Sequence, residues 1–203
     1  MLNPNFIYVG IALNLLGFIS YVNDTIKGKI QPNRVSFFLW SIPPIITFFA
    51  ELNQGVGFQA IMPLSVGLIP FFVFLATFIN KKSYAKIQKL DIICAFFSIL
   101  GIILWYITNN GNIAIMFSIL ADAAAYVPTL VKSYNKPQTE SAWPWLAAGS
   151  SGFITLLTIK NSNFANITFP LYYLIINVLV YVLVQYKIGI LFKKKNTITK
   201  KVK

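Results

Sequence analysis

Histidine is absent from this 203-residue chain, and cysteine occurs once, as Cys94. Without histidine the chain lacks the commonest general base, the commonest zinc ligand and any serine–histidine triad. A lone cysteine excludes a disulfide framework and leaves no thiol cluster for a metal. Acids are scarce too, five against seventeen Lys and Arg, and charged residues make up only 11% of the chain. A soluble domain carries roughly a quarter. No glycine-rich phosphate loop is visible, so no nucleotide, cofactor or metal is expected and an ordinary hydrolase is not. What is present is apolar: 57% hydrophobic residues and a mean hydropathy of +0.68. The net charge of +12 would suit nucleic acid. However, the lysines sit between long apolar runs and are not interleaved on one surface, so a membrane explains them better and no nucleic-acid partner is expected.

Seven apolar segments are long enough to cross a bilayer, which takes about 20 residues. They are Phe6–Asn23, Val35–Leu52, Phe58–Ile79, Leu90–Ile107, Ile113–Val131, Ala142–Ile159 and Ile167–Tyr186. Met1-Leu2-Asn3-Pro4-Asn5 lacks a positive flank, so the first segment reads as a span and not as a cleaved signal. With seven spans, alternate connections face the same side. One side then holds Lys27, Lys29, Arg34, Lys81, Lys82, Lys86, Lys89, Lys132, Lys136, Lys187 and the tail lysines, sixteen of the seventeen cations, and only Lys160 falls opposite. Lys and Arg stay cytoplasmic during insertion. The N-terminus is therefore expected outside and the C-terminus in the cytoplasm. The bias towards Lys, Asn, Ile and Phe fits an AT-rich bacterial genome, and hence an integral protein of the cell (inner) membrane.

Displacing the sequence on itself by 105 residues lays Tyr21-Val22 on Tyr126-Val127, Lys27 on Lys132, Pro32 on Pro137, Ser36 on Ser141 and Trp40 on Trp145. These are six identities in the twenty positions from Tyr21 to Trp40, and they superpose span 1 on span 5 and span 2 on span 6. The expected organisation is all-α: a three-helix repeat over 1–80, a linker helix over 81–110, a second repeat over 111–192, and a basic tail over 193–203. The linker lets two odd-numbered units run in the same direction, as parallel repeats do.

The second repeat reads Tyr126-Val127-Pro128-Thr129-Leu130-Val131-Lys132, then Lys136-Pro137-Gln138-Thr139-Glu140-Ser141. This resembles the PQ-loop motif of the SWEET and PQ-loop families. Pro128-Thr129 takes the place of the Pro-Gln pair, Lys132 follows it, and Thr139-Glu140 takes the place of the turn before the next helix. Pro144 lies where the SWEET families place a hinge proline. In the first repeat Asn23-Asp24 stands in place of Pro-Gln, and Pro43-Pro44 come a turn later than the partner of Pro144. The resemblance implies a 3+1+3 heptahelical transporter that moves a small polar solute, such as a sugar, amino acid or vitamin-like molecule, by alternating access at a midplane site. A non-transporting receptor or scaffold of the same fold is the alternative. Retinal binding is excluded, because no lysine lies between Ile167 and Tyr186 to form a Schiff base. Nothing suggests an enzyme, since no second acid, histidine or cysteine accompanies Asp122 at mid-span.

Asp122 is the sharpest single residue, because a carboxylate in mid-membrane faces a cavity or a partner by default. Ser118, Asp122, Tyr126 and Thr129 recur at spacings of four, four and three, which puts them on one helical face. Asn14, Tyr21 and Asp24 line a comparable face of span 1; Tyr173, Asn177 and Tyr181 form another on span 7. Convergence of these stripes would make a central solute site, in which Asp122 would exchange protons. The alternative is that the same polar groups only hydrogen-bond helices together. Trp40 and Trp145 are repeat partners that suit either a flat substrate wall or an interfacial belt and gate. Pro43, Pro44, Pro128 and Pro144 are hinge candidates, since each removes a backbone hydrogen bond. Asp24 and Thr129 sit beside them at the gate. Glu51 and Asp91 are expected to be solvated. The partners are the solute and the bilayer; one chain holds both repeats, so a monomer suffices and a homo-oligomer stays open.

Overall fold

Each of the seven apolar segments holds an α-helix among its described residues, and prolines fall inside several of them. The computed structural model describes residues 2–53, 61–83, 85–107, 111–159 and 164–192. Its helices are α1 (Ile7–Ile26), α2 (Arg34–Asn53), α3 (Ile61–Ile79), α4 (Lys89–Ile107), α5 (Gly111–Asn135), α6 (Trp143–Thr158) and α7 (Phe164–Gln185). Single 3-10 turns form at Pro4–Phe6, Lys81–Ser83 and Pro137–Thr139. A short helical segment at 188–192 follows α7, and no strand occurs among the described residues. The fold is all-helical. Among the described residues two stretches, Ile7–Ile26 and Ile167–Gln185, are long and apolar enough to cross a membrane, and Gly67–Ile79 is apolar but shorter.

Local chemistry explains where α1 and α5 stop. α1 ends at Gly28, whose φ of +70° is open to glycine at little cost. Gly28 N–H donates to the Thr25 carbonyl and Lys29 N–H to that of Asp24, each at 3.0 Å, which closes the last turn. The residue 105 positions later is Ser133, which has no such freedom, so α5 continues to Asn135. Pro137 then ends it: Lys136, held off the helical region by the following proline, sits at φ −138°, ψ 59°.

The chain divides into two compact units, Tyr21–Pro128 and Met1–Ser20 with Thr129–Lys203. In the first, α2 packs along α3 and also meets α4. A polar knot fastens its connections. Asn33 Nδ2 donates to Asp91 Oδ1 at 2.9 Å, and Gln88 N–H donates to Asp91 Oδ2 at 2.6 Å. Asp91 is buried there at the start of α4, where the helix dipole favours an anion, so it is not solvated as expected from sequence. Arg34 Nε and Nη2 donate to Thr77 Oγ1 and its carbonyl at 2.8 and 2.7 Å, with the guanidinium 4.0 Å over the Phe78 ring. Ser83 Oγ donates to the Thr25 carbonyl, and Asn80 Nδ2 to that of Ile26 at 3.2 Å.

In the second unit α6 packs along α7. The small run Ala147–Gly152 permits it: a Cβ on Gly152 would stand 3.1 Å from both the Pro170 carbonyl oxygen and the Leu174 nitrogen. Pro144, Ala147 and Ser151 of α6 meet Gly17 and Gly10 of α1. The charged residues of the second repeat motif are joined, since Lys132 pairs with Glu140 and their side chains are only 12% and 0% exposed.

Across both units many large exposed side chains are apolar, among them Ile19, Phe72, Ile92, Phe96 and Ile175, whereas Thr25, Asn33, Ser36, Thr77, Asp91, Thr129, Glu140 and Asn177 are buried. Hydroxyls turned inward bond back to their own helix, as Thr25 to Tyr21 and Thr155 to Ser151.

Lys132→Ala would leave a buried carboxylate uncompensated, at a cost of about 3–5 kcal/mol. The expected outcome is a clearly lowered unfolding midpoint in detergent, with most of the loss recovered by Lys132→Met combined with Glu140→Leu. A single variant as stable as the native chain would show that the pair contributes nothing.

Candidate functional site

Within the unit Tyr21–Pro128, α1, α2 and α5 bring together the aromatic residues that sequence spacing singles out. Tyr21, in the last turns of α1, lies 5.3 Å from Phe37, ring centroid to centroid. Phe37 meets Trp40 edge-on at 5.0 Å, and Trp40 packs against Tyr126 of α5 at 4.3 Å. Four rings thus form a continuous ladder. Its ends are the two repeat-related tyrosines, and Tyr21, Phe37 and Tyr126 are buried. Ser36 Oγ reinforces it by donating to the Ala125 carbonyl at 2.6 Å. Sequence reasoning missed Phe37, although a signal existed: it precedes Trp40 by three residues and so shares its helical face.

Asp122 lies one turn before Tyr126 on α5 and is half-buried. Pro128, two residues after Tyr126, lies inside α5 and removes the N–H that would otherwise bond the Ala124 carbonyl. Asp24 lies one turn after Tyr21 on α1. It pairs with Lys29 at 3.4 Å and belongs to the cap that ends α1. The side chains of Ser118, Pro43, Pro44 and Glu51 lie outside the described residues, as does the tail from residue 193.

The other unit holds the remaining candidates. Asn14 stands between Gly10 and Gly17, on the α1 face that meets α6. Its Oδ1 is buried and receives no hydrogen bond among the described residues. Pro144 falls in the first turn of α6, against Gly17, where its missing N–H has no helical partner to lose. The next residue, Trp145, is buried, and Thr129 of α5 is fully so. On α7, Asn177 is 1% exposed, lies against Gly149, and donates to the Tyr173 carbonyl at 2.7 Å. Tyr173 stacks on Phe169 at 6.0 Å, and Tyr181 meets Tyr186 edge-on at 6.4 Å. The predicted site therefore draws Tyr21, Trp40, Asp122 and Tyr126 from one unit, and Asn14, Tyr173, Asn177 and Tyr181 from the other. Among the described residues no group of three metal-ligating side chains exists.

Flat ring faces, phenol and indole donors and one carboxylate a turn away suit the recognition of a small solute that is apolar on one face and hydroxyl- or amine-bearing on another. Comparison with family models, with curated proteins and with solved structures finds no match to this chain.

If the ladder acts as one stack, a double-mutant cycle of Trp40→Ala and Tyr126→Ala should give a coupling of about 0.5–1.5 kcal/mol beyond additivity. The readout is unfolding in detergent. Additive losses would mean that the two rings share a neighbourhood without stabilising each other.

Proposed function

We infer that the chain is a seven-span carrier of a small polar solute, built from repeats over 1–80 and 111–192 about a linker helix, with its N-terminus outside. The observation that carries this reading is an inversion of the usual arrangement. Polar groups and an aromatic ladder are turned inward, while the outward faces of the helices are apolar. Large exposed apolar surface marks a membrane or a partner, and inward polar groups at membrane depth mark a solute path. The segregation of sixteen of seventeen cations supports the orientation. The repeat finds support in packing: α2 along α3 and α6 along α7 are equivalent pairs, and Tyr21 and Tyr126, like Pro32 and Pro137, are buried in both copies.

The ladder suggests how access could alternate. Each aromatic contact stabilises the closed stack by about 0.5–1.5 kcal/mol beyond simple burial. Three such contacts hold a conformation by only a few kcal/mol, a range that a bound solute can outweigh by differential affinity. A solute that takes the place of a ring on Trp40 or Tyr126 offsets the lost contact and parts the stack. Asp122, one turn along α5, is the group placed to accept a solute amine or to exchange a proton with the solute path.

The test is saturable uptake into proteoliposomes across a panel of sugars, amino acids and vitamins, with and without a pH gradient, for the native chain and Asp122→Asn. The expected result is uptake of one solute class, with the variant losing pH-driven accumulation while retaining exchange. Normal coupled transport by the variant would remove Asp122 from the mechanism. Specific binding of a solute without flux by folded protein would replace the carrier reading with a heptahelical receptor.

A further inference from the structure

We propose that the connections α1–α2 and α3–α4 together form a binding site for the phosphate headgroup of an anionic phospholipid. The proposal rests on the membrane reading above. Cytoplasmic orientation explains why lysines occur in these connections, but not why two segments more than fifty residues apart are fastened together. Ser83 Oγ donates to the Thr25 carbonyl, Asn80 Nδ2 donates to that of Ile26 at 3.2 Å, and Asn80 Nδ2 lies 2.7 Å from where a Cβ on Gly28 would stand. Asn33 and Gln88 tie the start of α4 into the same knot through Asp91. These bonds bring together the two connections that carry Lys27, Lys29, Lys81, Lys82, Lys86 and Lys89, all of them exposed.

The local acids do not balance that charge. Asp24 pairs with Lys29 at 3.4 Å, and the Asp91 carboxylate is buried with both oxygens already accepting hydrogen bonds. Lysines held side by side repel one another, and an anion shared between them relieves the repulsion. The surroundings choose a lipid as the source of that anion. α3 reaches the patch through exposed Phe78 and Ile79, one residue short of Lys81 and Lys82; α4 leaves it through Lys89, within a turn of exposed Ile92 and Ile93. A headgroup on the lysines would thus lay its acyl chains along apolar side chains of both helices. A free phosphate or an acidic protein has no use for that surface.

The test titrates detergent-solubilised, delipidated protein with phosphatidylglycerol, phosphatidylcholine or inorganic phosphate, and reads bound lipid by native mass spectrometry and the unfolding midpoint. Phosphatidylglycerol should bind and raise the midpoint. Lys81→Gln, Lys82→Gln and Lys89→Gln should each weaken it about fivefold, and Lys136→Gln, an exposed lysine of the other unit, should leave it unchanged. Because these lysines are exposed, the variants should match the native midpoint without lipid. Equal binding of phosphatidylcholine, an unchanged affinity in the combined Lys81, Lys82 and Lys89 variant, or the same stabilisation by inorganic phosphate overturns the proposal while leaving the membrane reading intact. A chain that stays folded and monodisperse without detergent overturns both.

Discussion

Most of the polar groups that this protein turns inward are satisfied by the protein itself, and much of the structure follows from that constraint. The outward faces of its helices are apolar, so the inside is where hydroxyls, amides and carboxylates collect. An unmade hydrogen bond there costs far more than a made one contributes. The solutions are short-range where possible. Thr25, Thr77, Thr155 and Asn177 bond to carbonyls three or four residues back, which keeps each helix self-sufficient. Where a charge is buried, a partner comes from farther away, as Asn33 comes to Asp91 and Lys132 to Glu140.

That distinction also decides what could be read in advance. Helix positions were legible because an apolar run of some twenty residues has few alternatives. The edges were less so: α7 begins at Phe164 and not at Ile167. α5 outruns its apolar segment, Asn135 Nδ2 donating to the Val131 carbonyl before Pro137 intervenes. The burial of Asp91 was not legible, because its partner lies 58 residues away and nothing local announces it. Of the candidate site, Tyr21, Trp40 and Tyr126 were visible through the 105-residue displacement, but their linkage through Phe37 is a tertiary fact. Prolines were visible as residues and not as roles: the same residue type starts α6 at Pro144 and interrupts α5 at Pro128.

The chain ends α1 and α5 by different chemistry. After α1 the chain turns on a glycine in the left-handed region and is fastened by neutral side chains to a distant connection. After α5 it turns on a proline and is fastened by a buried ion pair within the turn itself. A neutral knot tolerates changes in ionic surroundings, whereas an ion pair is all-or-none with respect to its partner. The turn after α5 is therefore the one less able to lose a single residue.

The boundaries of the compact units run through α1 after Ser20 and through α5 after Pro128, not through any connection between helices. Each unit accordingly draws on both halves of the chain. A chain cut after α4 would yield two fragments, neither of which holds all the partners that its own helices pack against. The unit Tyr21–Pro128 can be whole as soon as α5 has been made as far as Pro128, whereas the first twenty residues must wait for partners made at the end of synthesis, so the part of the chain that is born first is the last to be completed.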